Sequence, residues 1–407
     1  MFMSSDAGKQ AEHTSIRAIE KQAYTHWVGA WYAAPTQMPI AHLSGRTLRQ
    51  IVHMHVGGEL IRLRLSNRYG DAAITISAAF AGKVLEGPEL GPGERAVLFE
   101  GRETVTLEAG QEVISDPVAL RVEAASDLAI TFFLARGEIL SGHLSAQQTS
   151  YISGLGNVTA TSAETAFFAY PLLTTSWWLI SGVDVLPARP LNAVVAIGSS
   201  VTDGVGSTLN ANRRWPDYLA HRLREAGGTR FMSVLNAGIS GNQLLSSATP
   251  QLEETGIPAF LAGEAGMQRM AWDVMTQPGA TDLIVHIASN DLRADVAGPI
   301  LIEAFQQLAM QARKTYRKVF GTTILPGGYS PAQIEQRRLV NRWMLEQGKQ
   351  WFDAIFDFAA PLCSPEDEAL LNQVYDSGDG VHPNDAGYRL MAEAVDINQL
   401  TGSLGVS

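Results

Sequence analysis

The chain has 407 residues, a formal net charge of −11, 46% apolar residues and 17% charged residues. Those proportions describe a globular protein long enough for two domains and argue against a disordered chain. The acidic balance, with no basic cluster, argues against a nucleic-acid partner. The single cysteine, Cys363, excludes an internal disulfide and a cysteine-based metal knuckle.

Residues 1–24 are polar and lack the apolar core of a signal peptide, so this stretch is expected to be a flexible start. As given, the chain reads as cytoplasmic, or as secreted or periplasmic if a leader has been removed. No apolar run reaches the ~18 residues that a membrane span needs. Nothing in the sequence fixes an oligomeric state.

Residues 25–186 read as an all-β sandwich or jelly roll. Val52, Met54 and Val56 alternate with polar residues, Gly57-Gly58 follows, and Ile61, Leu63 and Leu65 alternate again. That pattern predicts a hairpin. Ile74, Ile76, Ala78 and Phe80 form a third alternating set, and Leu128, Ile130, Phe132 and Leu134 a fourth. His53 and His55 share one strand face without a third ligand and are read as half-buried strand residues, not metal ligands. Pro187 to Pro190 reads as a linker.

Residues 191–400 change period. Strands are predicted at 192–198, 231–236, 282–288, 318–325 and 353–358. Helices are predicted near 215–226, 265–276, 298–316, 331–349 and 384–395. This alternation is the mark of βαβ units and predicts an α/β domain with a flavodoxin-like, doubly wound, five-stranded parallel sheet. His286 falls inside a buried strand and is read as structural.

Four short motifs fall at predicted strand ends or in the last loop, on one rim of that sheet, where open α/β sheets bind their ligands. Ser200, in Gly198-Ser199-Ser200, is either a nucleophile or part of a polar turn capping the next helix. Gly238 and Gly241, in the turn Asn236 to Asn242, either present backbone N–H groups to a developing oxyanion or only make the turn. Asn290 either points its amide into the same crevice or caps a helix. His382 follows Asp379 by three residues in a glycine-broken loop, a spacing that lets the carboxylate reach Nδ1; the alternative is an Asp-Gly turn. Asp203 is read as a cap of the following helix with no catalytic role.

Together these blocks resemble those of the SGNH hydrolases, also called GDSL esterases/lipases. Gly198-Ser199-Ser200-Val201 corresponds to the first block, Gly-Asp-Ser-(Leu/Ile). The stretch Ala211 to Leu245 is similar to the arylesterase/acylhydrolase branch, whose members often carry an N-terminal β-sandwich; Trp27 to Trp31 and Leu65 to Asn67 fit that too. The resemblance covers about 191–400, good to a few residues at each end. It implies an SGNH fold, Ser200 as nucleophile, Asp379 and His382 completing a triad, and an oxyanion hole formed by Ser200, Gly241 and Asn290. No metal or organic cofactor is implied.

Two residues depart from the family pattern. Ser199 stands where the family has Asp, and Ala288 where it has Gly. The reading that follows is a serine esterase acting on a small-molecule ester or acylated sugar through an acyl-enzyme. Its alternatives are a carbohydrate O-acetylesterase with a sugar-binding β domain, and a non-catalytic ligand-binding relative. Loops 242–265 and 325–335 are expected to set the specificity.

Overall fold

The computed structural model describes residues 26–159, 172–247 and 259–403. The expected flexible start, 1–24, lies outside these residues, as do Pro250, Gly256 and Pro258 of the segment expected to wall the pocket.

The five parallel strands are Ala193–Gly198, Ser233–Gly238, Ala280–His286, Lys318–Thr322 and Ala354–Phe356. In space they run with Ser233–Gly238 at one edge, then Ala193–Gly198, Ala280–His286, Lys318–Thr322 and Ala354–Phe356. The order reverses at Ala193–Gly198, where chain connections leave toward both sides and open a crevice at the strand ends. Every residue of that strand is buried, which is why it reads as an unbroken apolar run and not as an alternation. The register places Gly198 beside both Gly238 and His286, so three motif-bearing turns leave the sheet at one level.

Helices cover both faces. Trp215–Ala226 and Asp385–Ala394 pack on one side around Trp215, Leu219, Tyr388 and Met391. Gly298–Ala312 and Pro331–Gln347 pack on the other through Leu301, Phe305, Val340 and Met344. The helix expected near 265–276 is split: Gly266–Arg269 is α-helical, and Met270–Val274 forms one π-helical turn.

From Val28 to Leu186 the described strands are antiparallel. One sheet joins Val28–Tyr32, Ile180–Leu186, Leu60–Ser66 and Glu112–Ile114. A larger one is built on Arg46–Met54, Ser126–Arg136 and Ile74–Glu86, and a third joins Trp177–Trp178, Ile139–His143 and Thr36–Ala41. Leu128, Ile130, Phe132 and Leu134 all face inward, as their alternation predicts. The set beginning at Ile74 does not keep one face. A register shift after Ile76 turns Ala79 and Ala81 into the core in place of Ala78 and Phe80.

The predicted hairpin around Gly57-Gly58 is absent. Arg46–Met54 pairs with Ser126–Arg136 and Ser150–Leu155, whereas Leu60–Ser66 pairs with Ile180–Leu186 and Glu112–Ile114. The two glycines carry the chain from one sheet to the other. They are glycines for closeness: a Cβ on Gly57 would lie 2.4 Å from the Val122 carbonyl oxygen, and one on Gly58 2.7 Å from that of Leu186.

One apolar core runs through both halves. Val28, Trp31, Ile61 and Val185 belong to the same cluster as Val195, Leu235, Leu283 and Val285. The strand Val28–Tyr32 continues toward the parallel sheet, with Gly29 N–H donating to the Pro278 carbonyl (3.0 Å) and Ala33 bridging to Asn236. Gly57→Ala should therefore destabilise the whole molecule by about 1–3 kcal/mol, because backbone must move to admit the methyl. Thermal unfolding checks this; an unchanged midpoint would show that the corner has room.

Candidate active site

The sequence Gly198-Ser199-Ser200 makes an abrupt strand-to-helix turn. A Cβ on Gly198 would fall 2.0 Å from Thr202 Oγ1 and 2.6 Å from the His286 carbonyl oxygen, so the turn is closed to any side chain. Ser200 opens the short helix Ser200–Asp203, which leaves its backbone N–H among the unpaired donors of a helix start. Ser199 precedes it, is 2% exposed and makes no side-chain cap.

Ser200 Oγ, not Ser199, meets His382. The Oγ–Nε2 distance is 2.9 Å, and His382 Nδ1 lies 2.6 Å from Asp379 Oδ2. The second oxygen, Asp379 Oδ1, accepts the backbone N–H groups of Val381 and His382, each at 2.8 Å. Partial burial raises the Asp379 carboxyl pKa, but these hydrogen bonds outweigh it and bring it to about 2. The loop is itself braced. Asp376 accepts Gly378 and Gly380 N–H groups, and Asn384 caps the helix Asp385–Ala394 through Ala386 and Gly387.

Gly241 sits at φ +80°, a left-handed conformation that suits glycine. Asn290 Nδ2 donates to the Asn242 carbonyl at 2.9 Å, tying the third motif to the residue after Gly241 and leaving the amide's second N–H for another partner. The structure thus brings all five expected site residues to one rim. His286 is structural as expected: it pairs with Thr322 Oγ1 at 2.8 Å, and burial lowers its pKa to about 3, keeping it neutral.

The residues that sequence reasoning missed support the turn 238–245. Arg269, fully buried, donates to Asn242 Oδ1 (2.9 Å), the Gly198 carbonyl (3.0 Å) and Asp273 (3.2 Å). Asp273 in turn accepts from Tyr32 of the antiparallel half at 2.7 Å. Asp291 accepts Leu244 and Leu245 N–H groups at 2.8 and 3.0 Å. Asp203, expected only to cap its helix, instead accepts Ser240 N–H (2.9 Å) and Ser240 Oγ–H (2.5 Å) on one oxygen and meets His143 Nε2 (2.8 Å) on the other.

His55 makes a parallel crossing. It lies 2.5 Å from the Val234 carbonyl and 3.0 Å from Asp217 Oδ1, so it is buried at the seam and not half-buried as expected. Arg214 joins the two crossings by donating to Asp217 Oδ2, the Asp203 carbonyl and the Ala146 carbonyl. Only a composition signal hinted at this network: histidines in strands of a domain otherwise free of motifs.

The backbone at Ala288 suits the glycine of the family pattern better than the alanine found here. It sits at φ +89°, ψ 0°, where a Cβ is strained and glycine is not. Ala288→Gly should raise stability by about 1 kcal/mol once glycine's extra chain entropy is set against the relieved strain. A thermal midpoint that falls would contradict this.

Burial lowers the His143 pKa, but the charge and hydrogen bond of Asp203 and the Ala34 carbonyl outweigh it against Arg214, so the net shift is upward. A raised folded-state value means that its stabilisation is complete below about pH 6.5, the unfolded value, and is lost as pH rises through the folded value. The Tm difference between wild type and His143→Gln should therefore shrink from pH 6 to pH 9 in differential scanning fluorimetry. A difference that grows would refute the assignment.

Comparison with known proteins places the parallel half. Residues 196–390 match the GDSL-like Lipase/Acylhydrolase family. No curated protein matches the chain. Among solved structures, a GDSL-like lipase from Bacteroides thetaiotaomicron is 19% identical over 51% of this chain and 87% of its own, with a TM-score of 0.37. A family two carbohydrate esterase from Clostridium thermocellum, solved with cellohexaose, is 14% identical over 88% of this chain and 92% of its own, with a TM-score of 0.38. An acetyl xylan esterase from Geobacillus stearothermophilus is 18% identical over 54% and 99%, with a TM-score of 0.35. The stretch that matches the GDSL-like lipase/acylhydrolase model, 196–390, is thus the parallel-sheet half, carried behind a domain of antiparallel sheets.

Proposed function

We propose that the chain hydrolyses carboxylic esters through an acyl-enzyme on Ser200. The observation that carries this is the continuous hydrogen-bonded chain from Ser200 Oγ through both nitrogens of His382 to Asp379. A neutral His382 with its hydrogen on Nδ1, donated to Asp379, leaves Nε2 free to accept the Ser200 proton. Ser200 Oγ then attacks the ester carbonyl. The imidazolium so formed is stabilised by Asp379, which stays ionised because its pKa is held near 2.

The tetrahedral oxyanion takes the backbone N–H groups of Ser200 and Gly241 and the Asn290 amide. His382 passes its proton to the departing alcohol. Water, deprotonated by His382, attacks the acyl carbon and releases the acid and Ser200. Ser199 and Ala288 leave this geometry intact, which favours catalysis over the reading of a non-catalytic binding protein. The core shared by the two halves favours the antiparallel domain as a packing partner of the catalytic one over a tethered sugar-binding module.

Among the described residues no helix is long and apolar enough to cross a membrane. The test is hydrolysis of para-nitrophenyl esters of rising chain length alongside acetylated sugars. Ser200→Ala and His382→Ala should nearly abolish turnover with the fold intact. Asn290→Ala should lower kcat on the order of 10²–10³, the effect of losing one oxyanion donor. Retention of most activity by Ser200→Ala would exclude the mechanism.

A further inference from the structure

We propose that His143 is a positioning residue for this reaction, supplied by the antiparallel domain and acting on the oxyanion loop through Asp203 and Ser240; the inference rests on the ester hydrolysis proposed above. The two backbone donors assigned to the oxyanion, from Ser200 and Gly241, leave the sheet from different strands. Their spacing depends on what joins the two turns. Asp203 is that joint: it ends the helix that Ser200 begins, and its Oδ2 takes both the N–H and the hydroxyl of Ser240, the residue before Gly241. The turns are already pressed together, since a Cβ on Gly238 would lie 2.4 Å from Asp203 N.

Asp203 is 3% exposed. A carboxylate so placed needs a cationic or hydrogen-bonding partner to stay ionised and keep both oxygens as acceptors. His143, 4% exposed, is that partner. Its Nε2 lies 2.8 Å from Asp203 Oδ1, and its Nδ1 lies 2.9 Å from the Ala34 carbonyl. Both nitrogens face acceptors, so both contacts form only when the ring carries two hydrogens and a positive charge. Asp203 and Arg214 are the charged groups facing His143, and the Trp177 ring lies against it at 5.7 Å. Tyr388 is the further titratable group near Asp203, and its hydroxyl is engaged by the Val205 carbonyl.

Docking of the two halves does not depend on this contact alone. Tyr32–Asp273, His55–Asp217 and Arg64–Gln277 also cross the seam. Loss of His143 therefore falls on the loop and on kcat more than on the association of the domains. A misplacement of reacting groups by about 1 Å is enough to slow an enzyme ~10²-fold.

The experiment is steady-state hydrolysis of para-nitrophenyl acetate by the full chain. His143→Leu should lower kcat by about 10–100-fold with KM within about threefold, because the oxyanion forms after binding. His143→Gln, whose amide can still donate to Asp203, should recover most of that loss. Ser240→Ala, on the catalytic side of the joint and away from the seam, should lower kcat about 5–20-fold. The double variant should fall no further than His143→Leu alone, since both act through one carboxylate.

Losses that multiply in the double variant would overturn the proposal. So would wild-type kcat in Ser240→Ala with hydrolysis still dependent on Ser200; this variant decides the matter even if His143→Leu fails to fold. Undiminished hydrolysis by Ser200→Ala would overturn the underlying reaction and this proposal with it.

Discussion

A buried carboxylate, that of Asp203, is the constraint around which the site is arranged. It stands one helical turn from Ser200, holds Ser240 with one oxygen and receives His143 with the other. An ionised carboxylate out of water is tolerated only when its acceptor capacity is filled and its charge is met. Filling it draws in the serine-bearing helix, the glycine turn and a strand of the other domain. Asp273 repeats the logic with Arg269 and Tyr32, and Asp217 with Arg214 and His55. At all three positions an acidic residue of the parallel half meets a donor from the antiparallel half.

This places the antiparallel domain inside the economy of the site. The apolar core is continuous from Val28 to Val285, and the crossing at His143 and Asp203 reaches the helix that Ser200 begins. The rim itself is light: a helix of four residues, a glycine turn, one asparagine and a loop closed on Asp376. Such short pieces have little rigidity of their own. Their positions come from what is packed and bonded below them, which is the usual relation between reactive loops and a rigid scaffold.

What could be read from the sequence divides along the range of the interactions. The parallel strands are short apolar runs bounded by helical periodicity, and the helix at Trp215–Ala226 falls where its pattern puts it. The Asp379–His382 contact is local, three residues apart, and so was legible. Ser200, Gly241 and Asn290 were legible because each follows the end of a strand of one sheet. The crossings were not. His143 and Asp203 are 60 residues apart and His55 and Asp217 are 162 apart, with no local pattern linking either pair. The Gly57-Gly58 corner was misread because two glycines between alternating strands suit a hairpin and a change of sheet equally well. The oddity at Ala288 was visible as a departure, but its meaning needed the φ angle.

The central claim is that Ser200 is the nucleophile set up by His382 and Asp379. Peptide mass spectrometry after treatment with a fluorophosphonate tests it most directly, because the reagent reports an activated serine independently of the natural ester. The account predicts a single adduct on Ser200 that is lost in His382→Ala. An adduct on Ser199, or no adduct on a folded wild-type chain, would contradict it.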